Sequence, residues 1–318
     1  MGQLREKGPT EANRSPPAPT ERVGNLFKEI RVERNWVSLL KSIVFVTFIG
    51  ILLIFTLFPL FWLFLSSLKS RLDMFAVPPK LFFSPTLAAY ERLFITTLIG
   101  GETVPTDILP CLMNSAIEAG LGTIIAVALG TMAGYACSRY EFAGKKDFLF
   151  FVLSTRMLPP VAVIIPIYMM FSRMALADSR IGMILLYILV NLGLSTWIMK
   201  GFFDGIPREY EEAAYVNGYT RFQTFTKIIL RLVKGGIAAT TGFCFIFVWN
   251  EFTFASIVTT RYAKTLPPRI AAALGPEGLD WGMIGAAGFM LIIPVVILFV
   301  LVRNYLLMGM TFGVLGRK

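Results

Sequence analysis

From residue 42 to residue 68, between Lys41 and Lys69, the chain carries no charge at all: the run is Ile, Val, Leu, Phe and Trp, interrupted only by Ser, Thr, Gly50 and Pro59. A helix needs ~20 apolar residues to cross the hydrocarbon layer. In that layer every backbone N–H and C=O must be satisfied within the structure, so a run of this length reads as a spanning helix. The pattern recurs. Six spans are expected, at about 42–66, 108–137, 148–171, 181–199, 236–258 and 281–302. The third is interrupted by Pro159, Pro160 and Pro166, and the second carries Gly130 and Gly134 at the spacing that lets helices pack closely. With 55% hydrophobic and 16% charged residues, against about 25% charged in a soluble domain, the fold class is an all-α polytopic membrane protein.

The net charge of +10 raises the question of nucleic acid, but the basic residues flank the apolar runs and set topology instead. With the N-terminus placed in the cytosol, Lys and Arg on the cytosolic side outnumber those outside by about two to one. Both termini are then cytosolic. Residues 1–38, with Pro9, Pro16, Pro17 and Pro19, read as a disordered basic tail. It is neither a signal peptide, since the apolar run begins near Leu39, nor a myristoylation site, since Glu6 stands where Ser or Thr is wanted. Residues 39–318 form the spanning domain, with a loop at 204–232 and a tail at 303–318. The segments 67–107 and 259–280 lie outside and are longer than span-to-span turns require, which suggests contact with something external.

The chain has no His, so Ser-His-Asp catalysis, His-ligated metals and His proton relays are excluded. Cys111, Cys137 and Cys244 lie far apart in apolar runs and support no redox pair. There is no G-x-x-x-x-G-K-[ST], hence no phosphate-cradling loop.

The 204–232 loop is polar between two apolar spans. Pro207 suits the first turn of a helix, and Glu209, Glu211 and Glu212 favour its positive end. Tyr210, Ala213, Ala214 and Asn217 share a face at helical spacing, flat enough at the two alanines for another backbone to approach. Gly218 is placed to stop this helix. Thr220 and Gln223 have capping-box spacing for a second one, with Phe222, Phe225, Ile228, Ile229 and Leu232 as its apolar stripe. Such a knob suits docking to a soluble partner; an amphipathic loop resting on the bilayer is the plainer alternative.

The sequence Glu212-Ala213-Ala214, three residues, Gly218, nine residues, Ile228, one residue, Leu230 resembles the coupling-loop signature of ABC importer permeases. The family usually ends this pattern on Pro, where this chain has Arg231. Asn114-Ser115, Gly134-Tyr135-Ala136 with Ser138-Arg139, Ile165-Pro166-Ile167-Tyr168, Trp249-Asn250-Glu251-Phe252, Thr265-Leu266-Pro267, Asp280-Trp281-Gly282 and Gly309-Met310-Thr311-Phe312-Gly313 extend the resemblance, from about Ser66 to the C-terminus. They resemble the carbohydrate branch, in particular the smaller permease of maltose-type importers. The resemblance implies the type I importer permease fold and a multi-pass place in a bacterial or archaeal inner membrane. It also implies a second homologous permease, two copies of a cytosolic ATPase that bind ATP and Mg, an external solute-binding protein, and a sugar or polyol as solute. This chain would bind no cofactor and no nucleic acid. Glu212, Ala213, Ala214, Gly218, Ile228 and Leu230 are the expected ATPase-coupling residues, and Thr265, Leu266 and Pro267 the expected binding-protein contact.

Five residues are polar or polar-capable at membrane depth. Arg156 sits about nine residues into the third span, where an unpaired Arg would cost a few kcal/mol. It lines a cavity, snorkels, or pairs with a neighbour, Glu251 being one candidate. Glu118, Trp249, Asn250 and Glu251 are candidates for a solute path with it. A secondary carrier and a membrane enzyme acting on a glycan-linked lipid are the alternative functions.

Overall fold

The computed structural model describes residues 36–97, 103–272 and 280–315. The expected disordered tail falls outside these residues up to residue 35, as do Gly275 and Pro276 of the last external segment.

Helix α1 (Trp36–Leu68) contains the first span and holds Pro59 inside it. Ser70 then caps the short α2 (Arg71–Met74), its hydroxyl accepting the Asp73 N–H at 3.1 Å. Helix α3 (Ala88–Phe94) leads into an antiparallel pair, β1 (Ile95–Thr97) and β2 (Thr103–Pro105), with Ile95 opposite Pro105. These are the strands among the described residues; everything else regular is helical. Helix α4 (Ile108–Arg139) is followed by α5 (Lys145–Met157) and α6 (Pro160–Arg173). Pro160 takes the first turn of α6, where its missing N–H costs nothing. Ser179 caps α7 (Arg180–Asp204) by accepting from Gly182 N–H at 3.0 Å. Then come α8 (Glu209–Val216), α9 (Arg221–Leu232), α10 (Lys234–Trp249), α11 (Thr253–Val258), α12 (Leu266–Ala272) and α13 (Trp281–Leu315).

Four helices are long and apolar enough to cross a membrane: α1, α4, α7 and α13. The count reaches six when each of two bent pairs is taken as one span: α5 with α6, bent by 98°, and α9 with α10, bent by 73°. Neither α5 nor α6 reaches the ~30 Å of the hydrocarbon layer alone, at 1.5 Å per residue. Two expectations change here. The fifth span, expected at 236–258, is not one helix: α10 stops at Trp249 and α11 starts at Thr253. The expected tail from residue 303 continues as helix to Leu315.

The chain divides into two compact units within α1, one ending at Leu60 and one beginning at Phe61. In the first, Phe45, Ile54 and Phe55 stand exposed, as a lipid-facing helix requires.

In the second, α4 and α7 form the central pair, and they approach closely because glycine lies between them. A methyl group on Gly130 would lie 2.6 Å from Ser195 Cβ and 2.9 Å from its carbonyl carbon. On Gly134 it would meet the Lys200 nitrogen at 2.8 Å. At this separation the Ser195 hydroxyl donates across the interface to the Ala126 carbonyl at 2.9 Å. Three apolar cores flank the pair. One joins Ile164, Met183, Tyr187 and Trp249; a second joins Leu93, Cys111, Leu266 and Ala286. The third, at the C-terminal end of α4, joins Tyr135, Met199, Phe203, Ile229 and Val233. Burying Phe203 and Ile229 completely contributes ~1.5–3 kcal/mol each relative to leaving them in water.

Candidate functional site

The polar 204–232 loop folds into α8 and α9, and it does so close to the expected pattern. Helix α8 starts at Glu209 with Arg208 as its cap, so Pro207 lies just before the helix rather than in its first turn. Gly218 ends it at φ +81°, a left-handed turn that a side chain would strain. Thr220 and Gln223 form a complete capping box, with the Thr220 hydroxyl accepting at 3.3 Å and the Gln223 amide oxygen accepting at 3.0 Å.

The faces differ from the sequence reading. Glu211 and Ala214 turn inward and are buried. Glu209, Glu212, Ala213 and Val216 turn outward, with Val216 88% exposed. The flat surface is therefore Ala213 with its outward neighbours, not Ala213 with Ala214. In α9 the apolar stripe does not run straight. A π-helical turn at Phe225–Ile229 adds a residue to one turn and shifts the register. Ile229 is fully buried, Ile228 and Leu230 are half-buried, and Phe222 and Leu232 face out.

The sequence reading missed the anchor beneath α8. Arg139, the last residue of α4, donates from Nε to Glu211 Oε1 at 2.5 Å. Tyr135, one turn earlier, donates its hydroxyl to Glu211 Oε2 at 3.0 Å. The second guanidinium nitrogen of Arg139 donates to the Ile206 carbonyl at 2.9 Å. The Tyr135 ring packs at 4.6 Å from Phe225 and 5.3 Å from Phe203. Tyr135 and Arg139 were visible within a family motif, yet nothing in the spacing says which of two adjacent glutamates they hold.

At the N-terminal ends of α4 and α7, the segment 259–266 is strapped down. The Asp178 carboxylate accepts backbone N–H groups from Thr260, Arg261, Tyr262 and Ala263 at 3.0–3.2 Å, and the Thr260 hydroxyl at 2.8 Å. Burial pushes this carboxyl up, but the hydrogen bonds from Ala263, Thr260 and Tyr262 outweigh it and bring its pKa to about 2. Asn114 Nδ2 donates to the carbonyls of Tyr262 and Lys264, and Ser115 Oγ accepts the Leu266 N–H at 2.8 Å. Thr265 and Leu266 are consequently buried, at 2% and 0% exposure, and Pro267 is half-buried. The expected contact surface at Thr265, Leu266 and Pro267 is thus mostly interior; Arg261 and Tyr262 occupy the exposed tip.

The expected path residues are each held by separate contacts, although Trp249 and Ala119, the neighbour of Glu118, share the core around Tyr187. Trp249 is buried, stacked on Phe245 and donating to the Leu291 carbonyl at 3.0 Å. Glu251 accepts the N–H groups of Phe254 and Ala255 at 2.8 and 3.0 Å, so it caps α11. It does not pair with Arg156, whose guanidinium lies 4.6 Å from the Phe247 ring centre and donates to the Val190 carbonyl at 3.3 Å. Asn250 ends α10 and stays exposed. Glu118 is fully buried, with neither oxygen meeting a donor among the described residues, so it faces protein and not an open path. The Trp249-Asn250-Glu251-Phe252 motif therefore builds a helix break.

Comparison with known proteins bears on this arrangement. Residues 126–307 match the family described as binding-protein-dependent transport system inner membrane component. A probable ABC transporter permease of Sinorhizobium fredii, y4oR, is 32% identical over 249 residues, covering 78% of this chain and 86% of that protein. The trehalose/maltose transport system permease MalG of Thermococcus litoralis is 33% identical over 240 residues, covering 74% and 84%. The crystal structure of a bacterial ABC transporter involved in the import of the acidic polysaccharide alginate has a chain of the same fold, at TM-score 0.68 and 22% identity, covering 86% of this chain and 98% of that one.

Proposed function

The chain belongs to the family of binding-protein-dependent transport system inner membrane components, and on that premise we propose that it is one permease subunit of an ATP-driven carbohydrate importer. A second homologous permease completes the path. Two copies of a cytosolic ATPase, which bind ATP and Mg, sit against α8 and α9, and both termini lie on that side. An external binding protein delivers the solute to the opposite side. The carbohydrate class rests on relatives named for trehalose, maltose and maltodextrin transport.

One observation carries the coupling role. The eight-residue α8 presents Glu212, Ala213 and Val216 outward, while Gly218 turns the chain sharply back and Glu211 anchors it underneath. A helix this short does not hold itself together in water, where ~12–15 residues are marginal. An anchored helix with a small, exposed centre fits a cleft in a soluble partner. A photo-crosslinker placed at Ala213 in the assembled transporter should capture the ATPase subunit. Capture of lipid alone would replace this reading with a helix resting on the bilayer.

A further inference from the structure

Glu211 and Glu212 are adjacent, yet they face opposite ways. Glu212 is exposed on the outer side of α8, whereas both oxygens of Glu211 are engaged within the fold. The Arg139 and Glu211 side chains are 7% and 9% exposed, so their attraction is only weakly screened.

The guanidinium holds several points at once. It reaches Glu211 on α8 and the Ile206 carbonyl in the α7–α8 turn, and donates at 3.3 Å to Ser138 Oγ. Ser138 donates in turn to Asp204 at 2.6 Å, and Lys200 holds the other Asp204 oxygen at 2.6 Å. Three separate stretches are thus tied to the last turn of α4. Apolar residues could make such a seam cohesive, but they are non-directional and allow sliding. A buried, fully hydrogen-bonded pair fixes geometry as well as distance, and removing one partner leaves the other charge uncompensated.

We propose that Arg139, Glu211 and Tyr135 are positioning residues that make α8 and the C-terminal end of α4 one rigid lever. Motion imposed on α8 then reaches the central α4–α7 pair without slack. This rests on the reading of α8 as the ATPase contact.

The test uses the complete transporter, both permeases with the ATPase, in lipid nanodiscs. Spin labels go on cysteines at Arg208 and Ile124, both exposed, while the three native cysteines are buried and stay in place. In the otherwise unaltered protein, ATP with vanadate should leave the inter-label distance constant to ~2 Å, the size of an ordinary helix shift. Glu211→Gln and Arg139→Gln leave Ala214 buried and the Gly218 turn in place to hold α8 for docking, so the ATPase should stay bound while the distance changes by more than ~2 Å with nucleotide. The exchange of Arg139→Glu with Glu211→Arg should return the distance toward its constant value, and Arg139→Lys, which keeps the charge but not the planar fork, should do so only in part. Tyr135→Phe, which removes one hydroxyl, should have a smaller effect than Glu211→Gln.

The lever is overturned if Glu211→Gln leaves the distance constant, or if the unaltered protein itself shifts by more than ~2 Å. It is also overturned if Glu211→Gln releases the ATPase, since the pair would then only shape the docking surface. Ala213→Arg separates the two readings: an ATPase still bound to that variant refutes docking at α8 whatever the labels report.

Discussion

Asp178→Asn isolates the strap over 260–263. Asparagine keeps one carboxyl-like oxygen but loses the charge and the second acceptor, in front of four backbone N–H groups and a hydroxyl. The native carboxyl has its pKa lowered from 3.8 to about 2, burial working against the hydrogen bonds that lower it. A full conversion at 1.36 kcal/mol per pH unit would give ~2.5 kcal/mol. The carboxyl is only half-buried, so screening by solvent reduces this to ~1–1.5 kcal/mol. Because the folded pKa lies below the unfolded one, the contribution is complete above about pH 4 and is lost as pH falls from there toward about 2. At pH 7 it is fully present. Hydrogen exchange at that pH should therefore show the Arg261, Tyr262 and Ala263 amides exchanging about 5–12-fold faster in the variant, one factor of ten being about 1.4 kcal/mol of local opening. Exchange at these three amides within a factor of two of the native rate, with the variant folded, would refute the account of what holds the tip.

Gly130→Val would place branched carbon where even a methyl lies 2.6 Å from Ser195 Cβ. Overpacking of this kind costs ~1–3 kcal/mol, so the variant should melt at a lower temperature in detergent, and an unchanged melting temperature would mean the helices are not in contact there. A Cβ at Gly218 meets no neighbour, but Gly218→Val must hold φ near +81°, a cost of ~1–2 kcal/mol. The permease should still insert in the membrane while ATPase copurification falls, and undiminished copurification would show that the turn geometry is dispensable.

Much of the architecture was legible because apolar run length is a direct consequence of bilayer thickness. The expected spans at 108–137 and 181–199 lie inside α4 and α7, and the glycines expected to let helices approach do so at Gly130. The breaks were harder to read. Asn250 and Glu251 stand in an apolar stretch and invite a solute-path reading, whereas their polar atoms satisfy the ends of α10 and α11. Hydropathy counts such residues as polar and cannot tell a cap from a path. Similarly, Thr265 and Leu266 stand in a segment long enough to be exposed, but Ser115 pulls the backbone inward. Ala214 and Glu211 show the remaining gap: a short helix whose glutamates and apolar residues are interleaved has no evident inward face until its partner, here Arg139, is in place.

The wide turn at Phe225–Ile229 changes what the spacing from Gly218 to Ile228 measures. Its nine residues between Gly218 and Ile228 are not counted along a uniform helix, because they pass through a turn holding one residue more than the rest. The spacing is thus a ruler with an extra graduation, and the two halves of α9 are out of phase with each other. The second half sets Ile229, with Val233 just beyond it, into the core beside Met199 and Phe203. Winding the same residues into an even α-helix, with none removed, would rotate everything beyond the wide turn by about 100°. Ile229 and Val233 would then turn away from Phe203 and Met199, so the wide turn absorbs the extra residue and keeps both side chains in that core.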